Sequence, residues 1–427
     1  MSLFSPRAFG TIAVLIPALT LPVPAAAQTA PGGRATQSLR LTVSASAGYD
    51  TDVTGMGTDP ATTPSAPHGG SMVALRYQRR SEKIGFSARG AADSRYYRTD
   101  QPISAASYNG NAVFAADVTS RLNVGASVNT GYSPRFLFSV LPEAGDLGDV
   151  APPALDYGVV AQRTASYMTG ANASLRVSRR SVLNAAVSSG ATTFLDNNYQ
   201  LSTKSYGGGY SYSATRYTTL RAGYTEHVAD YPAFGIAERR RYKRRSFDAG
   251  VNYSRPLSIS RRTTVSFGSG SSAIDDGQET FYTLTGNASL VHQIGRTWEA
   301  NVVYARGLGV VGGFGEPLFA DSVNSNLRGQ VTNKLGLVVT AGFADGNVGL
   351  GSRANDYRSF QASTRLEMVV KRERIGLYGD YFYYAYTFDA AAPTVVAIPR
   401  EVDRHGLRVG LIIRFPLIRE RTPRVTR

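Results

Sequence analysis

Apolar and polar residues alternate along most of the chain. In 122–129, for example, Leu, Val, Ala and Val occupy every second position, with Asn, Gly, Ser and Asn between them. The same period of two recurs in 167–177 and in 407–415. Because successive side chains of a strand point to opposite faces, each such stretch predicts a β-strand with one apolar and one polar face.

Repetition of this pattern over residues 38–416 predicts about 18 strands, with about 16 as the alternative count. The connections after even-numbered strands are short, such as 119–120 and 179–180. The connections after odd-numbered strands are longer, and the longest are 51–70, 138–165, 230–245, 311–321 and 389–401. Short turns at one rim and long loops at the other are typical of a transmembrane barrel whose short turns face the periplasm.

Two further features favour a membrane barrel over a soluble sandwich, whose strands would also alternate. The polar face is rich in Gly, Ser, Asn and Arg, as suits a wet interior. Aromatic residues lie near the ends of the apolar faces, namely Tyr49, Tyr77, Tyr132, Tyr212, Tyr224, Tyr253, Tyr282, Trp298, Tyr304 and Phe415. Unpaired backbone groups are costly in hydrocarbon, so the sheet has to close. The predicted fold is all-β, a closed antiparallel transmembrane β-barrel with short periplasmic turns and long extracellular loops.

The chain begins with a predicted export signal. Arg7 precedes an apolar stretch over 8–21, and Ala25-Ala26-Ala27 supplies the small residues that signal peptidase needs. The alternative, an uncleaved membrane anchor, is disfavoured because the stretch is short and prolines interrupt it. The predicted organisation is a cleaved secretory signal peptide over 1–27, a flexible leader over 28–37, the barrel over 38–416 and a basic periplasmic tail over 417–427.

The first predicted strand carries a family likeness. Residues 39–53 read Leu-Arg-Leu-Thr-Val-Ser-Ala-Ser-Ala-Gly-Tyr-Asp-Thr-Asp-Val, an alternating strand that ends in a Gly-Tyr-Asp loop. Over nearly its whole mature length the chain resembles Gram-negative outer-membrane β-barrels. More loosely, residues 39–53 look like the porin-type barrels found beside exopolysaccharide gene clusters. The resemblance implies insertion by the barrel-assembly machinery, which recognises a terminal aromatic residue. Phe415 is the equivalent here, although the chain departs from the family pattern by continuing to Arg427.

A barrel of this size is expected to enclose water, because barrels of about 16 to 18 strands leave an aqueous channel. By alternation the arginines that face the lumen are Arg76, Arg89, Arg176, Arg221, Arg328, Arg365 and Arg408. The inward acids are Asp93, Asp117, Asp248, Glu299 and Glu367. Rings of arginine favour anions, and rings of carboxylates favour cations. The small excess of arginine therefore predicts a weak preference for anionic or neutral solutes. Alternatively, these charges pair across the lumen and only hydrate it.

One predicted outer loop is strongly basic, whereas most of the others lean acidic. Its positive residues are Arg239, Arg240, Arg241, Lys243, Arg244 and Arg245. Such a run can grip anions through charge-assisted, partly bidentate contacts. It either contacts phosphates of the outer-leaflet lipopolysaccharide or folds inward as a constriction that selects an anion. Nucleic-acid binding, a third meaning of a basic run, conflicts with the predicted topology.

Composition narrows the chemistry further. The chain has a formal net charge of +15, no cysteine and 4 histidines, so a disulfide scaffold and a thiolate metal site are excluded. The histidines are His68, His227, His292 and His405. Only His227 lies beside a carboxylate, Glu226, and adjacent residues of a strand point to opposite faces. The sequence therefore predicts no enzyme, no metal site and no cofactor.

These observations predict a porin-like outer-membrane channel for passive diffusion of small polar or anionic solutes. Two alternatives remain open: a barrel that exports or anchors a surface exopolysaccharide, and a structural or adhesive barrel with a closed lumen. The expected partners are outer-membrane lipid and lipopolysaccharide, the assembly machinery during insertion, and small solutes or an acidic polysaccharide. No nucleic acid is expected, and the pattern predicts no particular oligomeric state.

Overall fold

The computed structural model describes a set of ranges that leaves out both chain ends and many connections. These ranges are 36–52, 65–99, 103–134, 162–232, 239–253, 262–275, 277, 279–309, 316–349, 355–371, 374–389 and 399–418. The predicted signal peptide, nearly all of the predicted leader and most of the predicted tail lie outside them. Within these ranges no helix is long and apolar enough to cross a membrane.

The described residues form 18 strands in one sheet. In chain order they are β1 (Thr36–Asp50), β2 (Ala66–Arg80), β3 (Ile84–Tyr97), β4 (Ile103–Asp117), β5 (Leu122–Ser133), β6 (Thr164–Arg176), β7 (Ser181–Phe194), β8 (Tyr199–Ser213), β9 (Thr218–Tyr231), β10 (Arg240–Tyr253), β11 (Thr263–Asp275), β12 (Thr280–Ile294), β13 (Trp298–Gly309), β14 (Leu318–Gln330), β15 (Leu335–Val348), β16 (Asn355–Lys371), β17 (Ile375–Phe388) and β18 (Glu401–Ile418). Each strand pairs antiparallel with its neighbours in sequence, and β18 pairs with β1. The closed antiparallel barrel of 18 strands is confirmed.

Cross-strand pairing keeps like faces together. Leu41 of β1 lies opposite Leu75 of β2, whereas Arg40 lies opposite Arg76. The apolar face is broadly accessible: Tyr282 is 82% exposed and Leu284 is 70% exposed. Large apolar surfaces of this kind are not left in water. The apolar face is therefore the exterior that meets lipid, as in transmembrane barrels.

Long-span contacts identify the polar face as the concave one. Arg221 of β9 donates a hydrogen bond to Asn287 of β12 at 2.9 Å. Arg240 of β10 donates to Glu316, just before β14, at 2.6 Å. Side chains of strands this far apart can meet only across the inside of a curved sheet. The polar face therefore lines the lumen.

The two rims differ as the sequence predicts, with local exceptions. The rim that carries the start of β1 and the end of β18, called here the inner rim, has short turns such as 81–83 and 295–297. The opposite, outer rim carries the long connection 134–163. The exceptions include short connections at 195–198 and 276–279 on the outer rim and a longer link at 254–262 on the inner rim.

All five strands that follow the long predicted loops begin inside them, and the shift is largest at β2, β10 and β14. Ala66 starts β2, Arg240 starts β10 and Leu318 starts β14, so the boundaries predicted for loops 51–70, 230–245 and 311–321 are wrong. Alternation is missing at these outer ends: 240–245 is charged on both faces apart from Tyr242, whereas 318–320 is apolar on both faces. The period of two in hydrophobicity is lost there although the backbone pairing continues.

Candidate functional site: the lumen wall

The lumen is packed toward the outer rim and more accessible toward the inner rim. Near the outer rim the inward side chains of Tyr231 and Tyr357 are 2% and 1% exposed. Near the inner rim the inward residues Arg89, Asp117 and Arg176 are exposed. Water therefore reaches the charged inner half of the lumen more readily than the outer half.

A continuous cluster of buried apolar and aromatic residues, called here the outer collar, occupies the outer half. It draws on strands from β7 to β18, and its largest members are Phe194, Tyr199, Tyr231, Tyr242, Ile274, Tyr357, Phe382, Tyr384, Tyr386 and Phe388. The β17 members of this cluster occupy four successive inward positions, which follow directly on the inward Asp380. One strand thus presents a column of aromatic rings to the lumen.

All twelve residues that the sequence places in the lumen lie on the inward face, as their pairing with inward neighbours requires. Their part in conduction stays a prediction. Sequence reasoning missed further inward charges, namely Arg40, Arg95, Arg240, Arg244, Arg404, Arg414, Asp50 and Asp380. Alternation could have found Arg404 and Arg414, since both share the parity of Arg408. Asp380 was hidden because β17 carries aromatic residues on both faces.

One hydrogen-bonded row of the barrel concentrates the inward charges. Strands β18 to β13 contribute one residue each, in the order Arg408, Asp380, Arg365, Val338, Arg328 and Glu299. Charges alternate in sign on either side of the single apolar residue. Opposite charges directly across a strand pair stabilise a sheet. The sequence alone gives no sign of this row, since its members are far apart along the chain.

Asp380 holds two arginines of this row. Its side chain is fully buried, at 0% exposure, and accepts a hydrogen bond from Arg408 Nη2 at 2.8 Å. Arg365 Nε lies 3.6 Å from the other carboxylate oxygen. At the far end of the row, Arg328 Nη2 donates to Glu299 at 2.8 Å. The guanidinium groups are thereby fixed against the wall.

A second carboxylate, Glu367, extends this cluster. It accepts a hydrogen bond from Arg414 Nη2 at 2.6 Å and lies 3.9 Å from Arg365 Nε. The ring of Tyr378 faces the guanidinium carbons of Arg365 at 4.3 Å and Arg408 at 6.0 Å, within the range of a cation–π contact. The cluster thus contains three arginines, two carboxylates and the ring of Tyr378, against which two of the arginines pack.

Glycines let these large groups lie flat on the wall. A Cβ atom at Gly410 would lie 2.6 Å from the Tyr378 ring, and one at Gly406 would overlap the Phe382 ring. On the other side of the barrel, Cβ atoms at Gly250 or Gly268 would lie 2.5 Å from Arg221. Because these glycines have no side chain, the Tyr378 and Phe382 rings and the Arg221 side chain can pack directly against the backbone.

The seam, where β18 pairs with β1, is joined by a buried ion pair. Arg404 is 0% exposed, and its guanidinium binds the Asp50 carboxylate through both Nε and Nη2, with Nε at 2.8 Å. A bidentate pair of this kind is among the stronger charge-assisted contacts. The first and last strands are thus linked by side chains as well as by backbone pairing.

Three arginines share one row near the inner rim. Arg40 of β1 lies opposite Arg76 of β2, which lies opposite Arg89 of β3. Like charges directly opposite one another destabilise a sheet. The row therefore raises the positive potential in the more accessible half of the lumen.

The basic run does not form a loop, which corrects the sequence-based prediction. Residues 240–245 belong to β10, so their side chains alternate. Arg240 and Arg244 point inward, and Arg244 is buried with a hydrogen bond to the carbonyl oxygen of Leu308. Arg241, Lys243 and Arg245 point outward. The prediction of an inward-folded loop is therefore wrong. These residues form a strand, and every second positive charge consequently faces away from the lumen.

The histidines lie on both faces of the wall. His227 faces the lumen beside Arg244, whereas Glu226 faces outward. On the exterior, His292 Nδ1 lies 2.7 Å from Thr263 Oγ1.

His405 lies on the exterior with its Nε2 3.4 Å from Asp403 Oδ1 and its Nδ1 2.7 Å from the Tyr381 hydroxyl oxygen. Among the residues that the structure describes, no group of three or more His, Cys, Asp or Glu side chains could hold a metal ion.

Comparisons with known proteins give similar structures only. No family model matches the chain, and no curated protein matches it. Similar solved structures include OpdO of Pseudomonas aeruginosa, with 13% identity and a TM-score of 0.43 over 90% of this chain and 98% of that one. OccK2 (OpdF) of the same species, solved in complex with glucuronate, has 10% identity and a TM-score of 0.45 over 90% and 98%. OccAB3 of Acinetobacter baumannii has 11% identity and a TM-score of 0.43 over 89% and 99%.

Proposed function

We propose that this outer-membrane barrel is a channel for passive diffusion of small polar or anionic solutes. The observation that carries the proposal is the excess of arginine over carboxylate on a water-accessible concave face. A barrel of about 18 strands is wide enough to hold water between its walls. An apolar exterior around such a lumen has no role in a soluble protein.

The charged wall supplies a mechanism for selectivity. An anion in the inner half meets the row formed by Arg40, Arg76 and Arg89, where its Coulomb energy is lowered by about 1 kcal/mol per close charge in water. Asp380 and Glu367 hold other arginines in place, so their donors need no reorganisation when a solute arrives. Binding stays weak enough for the solute to leave, as conduction requires.

Single-channel recording of the purified protein in a planar bilayer tests the proposal. We expect stable conductance steps and a reversal potential under a salt gradient that indicates mild anion preference. Folded protein, identified by its heat-modifiable migration on a gel, that gives no steps in repeated insertions would contradict the channel.

A second candidate is a barrel that exports or anchors a surface exopolysaccharide, the association that the loose family likeness implies. The aromatic column of β17, including Tyr384 and Tyr386, favours it, because sugar rings pack their apolar faces on aromatic side chains. The burial of the outer collar also suits a lumen that opens only during export. Block of conductance by an acidic oligosaccharide, or conductance that appears only with it, would favour this function. A closed structural barrel would give neither result.

We also propose that the chain is exported through cleavage after residue 27 and inserted by the barrel-assembly machinery. Phe415 supports the second point, since it lies on the exterior of β18 and is exposed. The mass of the mature protein tests the cleavage site, and loss of insertion in Phe415→Ala tests the signal.

A further inference from the structure

The exterior of β8 to β10 carries an unusual group of charges at its outer end. This group, called here the rim patch, consists of Lys204, Arg239, Arg241, Lys243 and Arg245 together with Glu226 and Asp230. Lys204 and Lys243 lie on either side of Val228 in one row of the sheet. Asp230 lies opposite Arg241, and Glu226 lies opposite Arg245. Positive charges from separate strands thus share one small area.

The carboxylates of the rim patch are already engaged. Glu226 lies 2.9 Å from Lys243 Nζ and 3.8 Å from Arg245 Nε. Asp230 accepts two hydrogen bonds from Arg239, at 3.0 and 2.6 Å. Asp275, opposite Lys243 on β11, accepts the backbone N–H of Gly277 at 2.8 Å.

Two cations of the patch have no direct partner among the described residues, although both lie near the Asp230 carboxylate that Arg239 already binds. Lys204 and Arg241 are both exposed, and within the described ranges neither makes a hydrogen bond or an ion pair. They flank the same short stretch of β9, roughly 5 Å from it on either side. An anion placed over β9 would therefore meet an ammonium and a guanidinium group together.

Aromatic rings lie directly below these charges. Tyr206 is in the row of Glu226, and Tyr224 lies opposite Phe247 one row further in, with 4.9 Å between the ring centroids. All three rings are exposed on the exterior. Aromatic girdles mark the interface between hydrocarbon and headgroups. The charges above them consequently lie at the depth of the lipid headgroups.

Two exterior arginines at the outer ends of β13 and β16 each have a carboxylate partner. On β13 to β16, Arg306 pairs with Asp321 at 3.1 Å, and Arg358 pairs with Asp345 at 3.0 Å. Each cation there has one carboxylate of its own. The rim patch therefore differs from β13 to β16 in having more cations than acids, and not simply in being charged.

We propose that the rim patch binds the phosphate groups of a phosphorylated glycolipid in the outer leaflet. Arg241 and Lys204 supply the primary contacts, and Lys243 and Arg245 add positive potential. Guanidinium matches phosphate geometry, ammonium acts as a point charge, and both are favoured at a membrane surface. The site is on the lipid side of the wall, so it does not depend on whether the lumen conducts.

Native mass spectrometry of the full mature protein tests this site. Protein freed of lipid in detergent is titrated with diphosphorylated lipid A and, separately, with the same lipid after removal of its phosphates. We expect the double variant Lys204→Gln with Arg241→Gln to bind diphosphorylated lipid about tenfold more weakly than the parent. The dephosphorylated lipid should bind both proteins weakly and equally. Conductance of the double variant should equal that of the parent.

The matched control is Arg306→Gln with Arg358→Gln, which removes the same number of exterior positive charges from β13 and β16. It should leave lipid binding unchanged. An equal loss of binding in both double variants, or undiminished binding of the dephosphorylated lipid, would overturn the proposal. So would full displacement of the lipid by millimolar inorganic phosphate, because the site would then be one for free anions. A channel that fails to conduct while lipid binding follows the expected pattern would refute only the proposed function.

Discussion

Asp380 is a single carboxylate on which two lumen arginines depend. Its side chain is fully buried, Arg408 donates to it, and Arg365 lies beside it. Removing one partner of a buried ion pair leaves the remaining charges uncompensated, which typically costs about 3–5 kcal/mol. Asp380 is thus important because Arg408 and Arg365 would lose their counter-charge without it.

We expect Asp380→Asn to lower the free energy of unfolding by about 3 kcal/mol. The anion preference of the channel should rise, because Arg408 and Arg365 lose their counter-charge. Urea unfolding in lipid vesicles and the reversal potential measure the two effects. Asp345→Asn is the control: its ion pair with Arg358 is exposed, and such pairs contribute at most about 1 kcal/mol. Equal destabilisation by both variants would contradict this account.

At the scale of the strand, the sequence pattern predicts most elements well and fails at their outer ends. In the middle of β5, where Val124 and Val128 face lipid and Asn123 and Asn129 face water, hydrophobicity follows the backbone. At the start of β10 both faces carry arginine or lysine, so nothing in the pattern separates strand from loop. A strand segment that crosses hydrocarbon needs an apolar residue at every second position, whereas a segment outside the hydrocarbon does not.

A loop contact at the outer rim gives a pH-dependent prediction. Arg163, before β6, donates through its backbone N–H and its Nε to Asp196 in the turn after β7, at 2.8 and 2.6 Å. Burial raises the pKa of Asp196, but the hydrogen bonds and charge of Arg163 outweigh it and leave the pKa lowered. Stability from this contact is therefore present above the unfolded pKa and is lost as pH falls through the folded pKa.

We expect hydrogen exchange in the turn 195–198 to be slow at neutral pH and to accelerate, relative to the neighbouring strands, in acid below the ordinary Asp pKa of about 3.9. Asp196→Asn should show the faster relative exchange already at neutral pH. Glu401→Gln, a charge removed from the start of another strand, serves as the control. Exchange in the turn that is indifferent to both acid and Asp196→Asn would contradict the contact.

At the scale of the molecule, alternation predicts which charges face inward, but it cannot predict which of them meet. The sequence places Arg365 and Arg408 in the lumen, yet their common partner Asp380 is evident only from the pairing of β16, β17 and β18. Register between strands depends on many weak contacts spread over the barrel. The fold is therefore more predictable from this sequence than the arrangement of its site.

Selectivity is a property of the whole lumen, and the arginine row near the inner rim should dominate it. We expect Arg76→Gln with Arg89→Gln to reduce the anion-to-cation permeability ratio roughly fivefold, corresponding to about 1 kcal/mol of lost attraction. Reversal potentials under a salt gradient measure this ratio. Arg306→Gln, on the exterior, should leave it unchanged. An unaltered ratio in the double variant would place selectivity elsewhere.

The ion pair at the seam bears on how the barrel is made. Asp50 and Arg404 are separated by 354 positions, so the pair can form only after the last strand has been synthesised and has found the first. Until then each partner is a charge at an open sheet edge, where it discourages pairing with another chain. Once the edges meet, both charges leave water together, and reopening the barrel would expose each without its partner. We therefore expect the pair to stabilise the closed barrel and not the open sheet that precedes it.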